Sequence, residues 1–146
     1  MSAPAERARD AGGGSEAAPV LLFDDDPDFT FLLGAACARL GVQLDAVADS
    51  SRLETVSAGD VRLALVDLKM CDPKGVSWNF AGLSIVLELR RRFGAAFQIW
   101  VVSGLVNPTL TGRALAAGAD AVVSKDEPLD AIAERVAHAV SRRALN

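Results

Sequence analysis

The chain has 146 residues, 51% of them hydrophobic, with 15 basic side chains against 19 acidic and a formal net charge of −4. This length predicts one domain rather than a multidomain enzyme, and folding at this size buries roughly two thirds of the unfolded chain's surface. The acidic balance speaks against a free-standing nucleic-acid binder, which needs a basic face. Two cysteines, Cys37 and Cys71, are too few for a disulfide scaffold or a thiolate metal cage. The opening MSAPAERARDAGGG lacks the apolar core of a secretory signal, and no apolar run approaches the ~20 residues of a membrane span. The expectation is a cytoplasmic protein that neither enters a membrane nor binds nucleic acid directly.

Residues 1–19 are rich in Ala, Gly and Ser and hold no apolar cluster, which predicts a flexible leader ahead of a domain over 20–146. Val20 to Phe23 is a short apolar run that stops at three aspartates, as in a strand buried on both faces of a parallel sheet. Phe29, Leu32, Leu33, Ala36, Cys37 and Leu40 then recur at helical spacing up to Gly41. Cys37 on that stripe reads as core. Val42, Leu44 and Ala46 alternate with polar neighbours, as on an edge strand. Ser51 and Glu54 have the capping-box spacing that opens a short helix, closed near Gly59.

Leu63 to Val66 is a second buried strand, ending at Asp67. A helix is expected from about Gly82 to Phe93, with Val86, Leu89 and Phe93 inward and Arg90 to Arg92 as a solvated, dipole-matched cap. Phe97 to Val102 is a third strong strand, ending at Ser103-Gly104. Asn107-Pro108 opens a helix closed by Gly118. Ala121 to Val123 is the last strand, ending at Ser124-Lys125. The final helix carries Leu129, Ile132, Ala133, Val136, Ala137 and Val140 on one stripe, with His138 off it. Five strands alternating with five helices predict an α/β sandwich around a mostly parallel sheet.

Parallel strands deliver their carboxyl ends to one edge, where the ligand crevice of an open sheet lies. Here those ends carry Asp24-Asp25-Asp26, Asp67, Ser103 and Lys125. Aspartate and serine are common at such turns, which explains any one of these residues better than all of them together. Clustered carboxylates repel one another, and a cation relieves that repulsion. Oxygen donors without histidine or cysteine point to a hard ion, Mg²⁺ or Mn²⁺. A lysine and a hydroxyl beside the ion would make a receptor for a phosphoryl group in transfer. One carboxylate would then be the nucleophile, forming an acyl phosphate.

The segments VLLFDDDPDF, ALVDLKM, IWVVSG and AVVSK, in this order, resemble the receiver domain of two-component response regulators. The likeness runs from Val20 to about Ala144. It implies a five-stranded parallel sheet in the order 2-1-3-4-5 flanked by five helices, a flavodoxin-like arrangement. It further implies that Asp67 accepts a phosphoryl group from a histidine kinase, a phosphotransfer protein or a small acyl phosphate. In such a site Asp25 would bind Mg²⁺ directly, Asp24 mainly through water, and Asp67 and the backbone carbonyl of Lys69 would complete the protein's ligands. Ser103 would bond a phosphoryl oxygen and move toward it on activation, and Lys125 would pair with the phosphate. Asp26 and Asp28 read as helix-start chemistry. Output would be contact with an unknown protein through the last two helices, from a stand-alone monomer or weak homodimer.

Three features depart from the family pattern. The segment between Asp67 and Gly82 exceeds the usual loop by roughly half a dozen residues and carries Trp78 and Phe80, which suggests an extra turn or a docking surface over 68–81. Val122 stands where the family usually has a ring that rotates with the switch. Asp126 follows the lysine where a cis proline is usual, so a trans bond and a less firmly held Lys125 are expected. Lys69 and Leu105 occupy the positions that tune phosphoryl lifetime in the family. Two other readings compete: a receiver-like module that binds partners without phosphorylation, and an enzyme like the haloacid dehalogenase phosphatases. In the latter, Asp24 would be the nucleophile and Asp26 the general acid.

Overall fold

The structure is a computed structural model, and it describes residues 19–48, 53, 61–69 and 81–145. Nearly all of the leader, the helix expected between Ser51 and Gly59 and most of the loop 68–81 lie outside the described residues. Among them stand five strands, β1 (Val20–Phe23), β2 (Leu44–Val47), β3 (Leu63–Val66), β4 (Gln98–Ser103) and β5 (Ala121–Ser124). Four helices accompany them: α1 (Pro27–Arg39), α2 (Ala81–Phe93), α3 (Pro108–Ala117) and α4 (Leu129–Leu145). All pairings are parallel, in the order β2-β1-β3-β4-β5. The expected sheet order therefore holds, with four helices described where five were expected.

Strand alternation divides the core in two. Leu21, Phe23, Ala64, Val66, Ile99 and Val101 face α2 and α3, where Ile85, Val86, Leu89, Leu110 and Ala114 meet them. Val20, Leu22, Leu63, Leu65, Trp100 and Val102 face α1 and α4, against Phe29, Leu33, Cys37, Ile132 and Val136. Because both faces are covered, β1 and β3 are apolar at every position and fully buried. Burial pushes the Cys37 thiol up to about 11, in keeping with a core role.

Caps fix where the helices begin and end. Asp26 accepts from the backbone N–H groups of Asp28 and Phe29, starting α1 directly after the acidic run. Asn107 does the same for α3 by accepting from Leu110 N–H, and Gly118 closes that helix at a φ of 120°.

Three expectations need correction. Leu32 and Leu40 lie half in solvent, so the buried stripe of α1 is narrower than the sequence pattern implied. In β2 it is Val47 that is buried and Ala46 that is exposed. Arg90 is no solvated cap, because its guanidinium bonds the carbonyls of Gly94, Phe97 and Gly118 and the carboxylate of Asp120. An arginine at a helix end reads as solvated until tertiary folding brings acceptors from other elements to it.

Candidate functional site

The sheet order reverses between β1 and β3, and a doubly wound sheet opens its crevice at such a point. Phe23 pairs with Val66 in register, so Asp24 and Asp67 leave the sheet side by side. Backbone bonds carry the ladder past the strand ends: Asp24 N–H donates to Val47 at 3.0 Å, Asp67 N–H to Phe23 at 2.9 Å and Lys125 N–H to Ser103 at 2.9 Å. Asp24, Asp67 and Ser103 are all buried, whereas Asp25 is half-buried.

Lys125 Nζ lies 2.8 Å from Asp24 Oδ2 and 3.4 Å from Asp67 Oδ2. Its other neighbour is the Phe29 ring, whose centroid is 4.6 Å away. Burial pushes the Asp24 carboxyl up to about 6; the Lys125 contact opposes this rise and the nearby Asp67 charge adds to it. Burial works against the charge of Lys125, but Asp24 and Asp67 more than offset it and hold the ammonium above the usual lysine value.

One carboxylate oxygen from each of Asp24, Asp25 and Asp67 lies within 4.8 Å of the others. Asp24 Oδ2 is sealed from solvent and faces Lys125 without an aligned hydrogen bond, so it keeps lone-pair capacity for a cation. Such an all-oxygen set fits a hard divalent ion. Asp67 Oδ1 accepts from Lys69 N–H at 3.2 Å, which folds the start of the following loop around the acid. The structure therefore brings Asp24, Asp25, Asp67 and Lys125 together and leaves Asp26 on the helix cap.

Ser103 is at the same edge, but its hydroxyl is engaged elsewhere. It donates to Leu105 O at 3.0 Å and accepts from Leu105 N–H at 3.1 Å. Val122, opposite Val101 in register, is half-buried against the α2–α3 core. The peptide bond before Asp126 is trans, as expected, and Asp126 N–H donates to Ser124 Oγ at 3.0 Å. Lys125 itself contacts two carboxylates and a ring.

Sequence reasoning missed two residues. Phe29 read only as core, and nothing along the chain placed it under Lys125. Gly82 read only as a helix start, yet a Cβ there would come 2.1 Å from the Asp67 carbonyl oxygen and 2.7 Å from Leu68 Cα. Its N–H donates to Leu68 O at 3.2 Å, so α2 abuts the backbone of the acidic residue. Only glycine permits so close an approach.

A parallel sheet in this order, acidic at its switch point, defines a flavodoxin-like α/β protein with three carboxylates gathered at its carboxyl edge. The chain belongs to the response regulator receiver domain family, whose model matches residues 20–137. Its role is accordingly that of a phosphoacceptor in two-component signalling. Among solved structures it is similar to a CheY-like receiver domain protein from Methanospirillum hungatei JF-1, with 18% identity and a TM-score of 0.70, covering 88% of this chain and 98% of that one. It is likewise similar to the signal receiver domain of a putative LuxO repressor protein from Vibrio parahaemolyticus, at 18% identity and a TM-score of 0.70, covering 89% and 95% of the two chains. The receiver domain of the putative response regulator NarL from Mycobacterium tuberculosis shows 22% identity and a TM-score of 0.67, covering 87% and 98%. No curated protein matches the chain closely enough to count as a relative. Family membership leaves the dehalogenase-like reading, with Asp24 as nucleophile, without support.

Proposed function

We propose that Asp67 is the phosphoacceptor, in a receiver domain spanning 20–146 behind a leader of residues 1–19, acting in the cytoplasm. The observation that carries this reading is the convergence of Asp24, Asp25 and Lys125 on Asp67 at the switch point. A carboxylate oxygen of Asp67 attacks the phosphorus of a phosphohistidine or small acyl phosphate. The bond to the donor's nitrogen or oxygen breaks, and the donor leaves with that electron pair. Asp24, Asp25, Asp67 and the Lys69 carbonyl would hold Mg²⁺, or Mn²⁺, which when bound offsets the charge gathered on the phosphoryl oxygens.

Lys125 pairs with the new phosphoryl group. Ser103 reaches the group by releasing Leu105, which couples phosphorylation to the exposed Leu105–Val106 turn. With Val122 in place of a ring, this backbone route carries the switch toward α3. Lys69 and Leu105 set the phosphoryl lifetime. The donor is a histidine kinase or phosphotransfer protein, and the output is contact with another protein by a monomer or weak homodimer. The domain acts as a signalling acceptor, with no catalysis beyond its own phosphorylation and dephosphorylation.

Intact mass after incubation with acetyl phosphate and Mg²⁺ tests the assignment. A gain of one phosphoryl group in the wild type and none in Asp67→Asn is expected. An equal gain in both overturns Asp67 as acceptor. No gain in either, with fold and metal binding intact and a phosphohistidine donor supplied, replaces it with the phosphate-independent binding module that Val122 and Asp126 favour.

A further inference from the structure

The ammonium of Lys125 is enclosed by two kinds of partner. On one side are Asp24 Oδ2 at 2.8 Å and Asp67 Oδ2 at 3.4 Å, and on the other is the Phe29 ring at 4.6 Å from its centroid. The lysine side chain is 16% exposed and the phenylalanine 9%. We infer that Phe29 is a positioning residue for Lys125, its ring face holding the ammonium over the acidic cleft. This inference rests on the reading of Asp67 as phosphoacceptor and deepens it.

The two kinds of partner differ in what reaction does to them. A cation on Asp24 weakens its pull on the lysine, and phosphorylation removes the free carboxylate of Asp67. The ring changes in neither case, so it is the part of the enclosure that persists through the cycle. A cation over an aromatic face is attracted by the ring quadrupole, most strongly where water is excluded, as it is here. The turn after Lys125 cannot do the same work, since its ties run from Asp126 and Glu127 N–H back to Ser124 and from the Glu127 carboxylate to Arg135, and these bonds do not engage the ammonium. The position of Phe29 follows from its place one turn into α1, whose cap at Asp26 sets the helix immediately after the acidic pair.

Because Phe29 also packs in the core, truncation alone confounds packing with positioning. Stepwise ring fluorination at position 29 removes the quadrupole while nearly preserving shape. Two readouts are taken across that series. The side-chain methylene resonances of Lys125 in the metal-free protein report its place over the ring through the ring-current shift, whether or not Asp67 is phosphorylated. They are expected upfield in the wild type and at ordinary values in Phe29→Leu; ordinary values in the wild type overturn the inference. The rate of phosphorylation from acetyl phosphate at saturating Mg²⁺ is expected to fall stepwise, by about tenfold over the series, at constant melting temperature. In a Lys125→Met background the residual rate should not respond to fluorination. A flat series in the wild type, or an equal slope without the lysine, overturns the role. If no variant takes up phosphate at Asp67, the phosphoacceptor reading falls, and the Lys125 resonances still decide the placement.

Discussion

The two edges of the sheet are built on opposite principles. At the amino edge Arg90 donates five hydrogen bonds, tying the end of α2 to Gly94, to Phe97 ahead of β4, and to Gly118 and Asp120 ahead of β5. Asp120 Oδ2 also accepts from Ile99 N–H at 2.9 Å, so the carboxylate serves two partners. At the carboxyl edge three carboxylates cluster and two of them contact one ammonium, Asp24 Oδ2 makes no aligned hydrogen bond, and the Ser103 hydroxyl bonds only its own turn. The first edge shares its polar groups among several partners, while the second gathers like charges beside a single ammonium.

The sharpest break in this contrast comes from Asp24→Asn. Divalent-cation affinity is expected to fall by about a hundredfold, read by calorimetry. The metal-free melting temperature should rise, because an unfavourable buried carboxylate is gone. A pH series refines the same point. Asp24 titrates near 6 in the native chain and lower when unfolded, so the native state binds the extra proton between those values. Metal-free stability should therefore fall as pH rises from about 4 to about 6, and that slope should vanish in Asp24→Asn. Cation affinity should run the other way, rising with pH up to about 6.

Arg90→Ala attacks the other edge. It leaves the Gly118 carbonyl and Asp120 short of partners in a region where the arginine is only 19% exposed. A loss of about 2–4 kcal/mol in denaturant unfolding is expected, with cation affinity at the acidic edge unchanged. Equal damage to both properties would show that the edges are not independent. The smallest effect belongs to neither edge. Gly34 lies inside α1, and a Cβ there would meet nothing within 4 Å. Gly34→Ala should stabilise the protein by about 0.5–1 kcal/mol and leave cation affinity untouched.

Much of this molecule was legible along the chain. The buried strands announced themselves as uninterrupted apolar runs, and Asp26, Asn107 and Gly118 marked helix ends that the structure reproduces. The acidic residues and Lys125 were legible because parallel topology sends every strand's carboxyl end to one edge. Arg90, Phe29 and Gly82 were misread or missed for a common reason. Arg90 finds its far acceptors near residue 118, Phe29 finds Lys125, and Gly82 finds the carbonyl of Asp67. Each role depends on a partner that only folding brings close.

Sequence by itself determined the alternation of strand and helix, the caps, and which residues gather at the carboxyl edge, since periodicity and chain direction are local properties. Tertiary structure alone decided which groups at that edge touch. It set Lys125 closer to Asp24 than to Asp67, kept Ser103 turned toward Leu105, and laid an aromatic face under the ammonium. Those outcomes depend on distances of a few ångströms between separate elements, and these are fixed by how the helices pack on the two faces of the sheet.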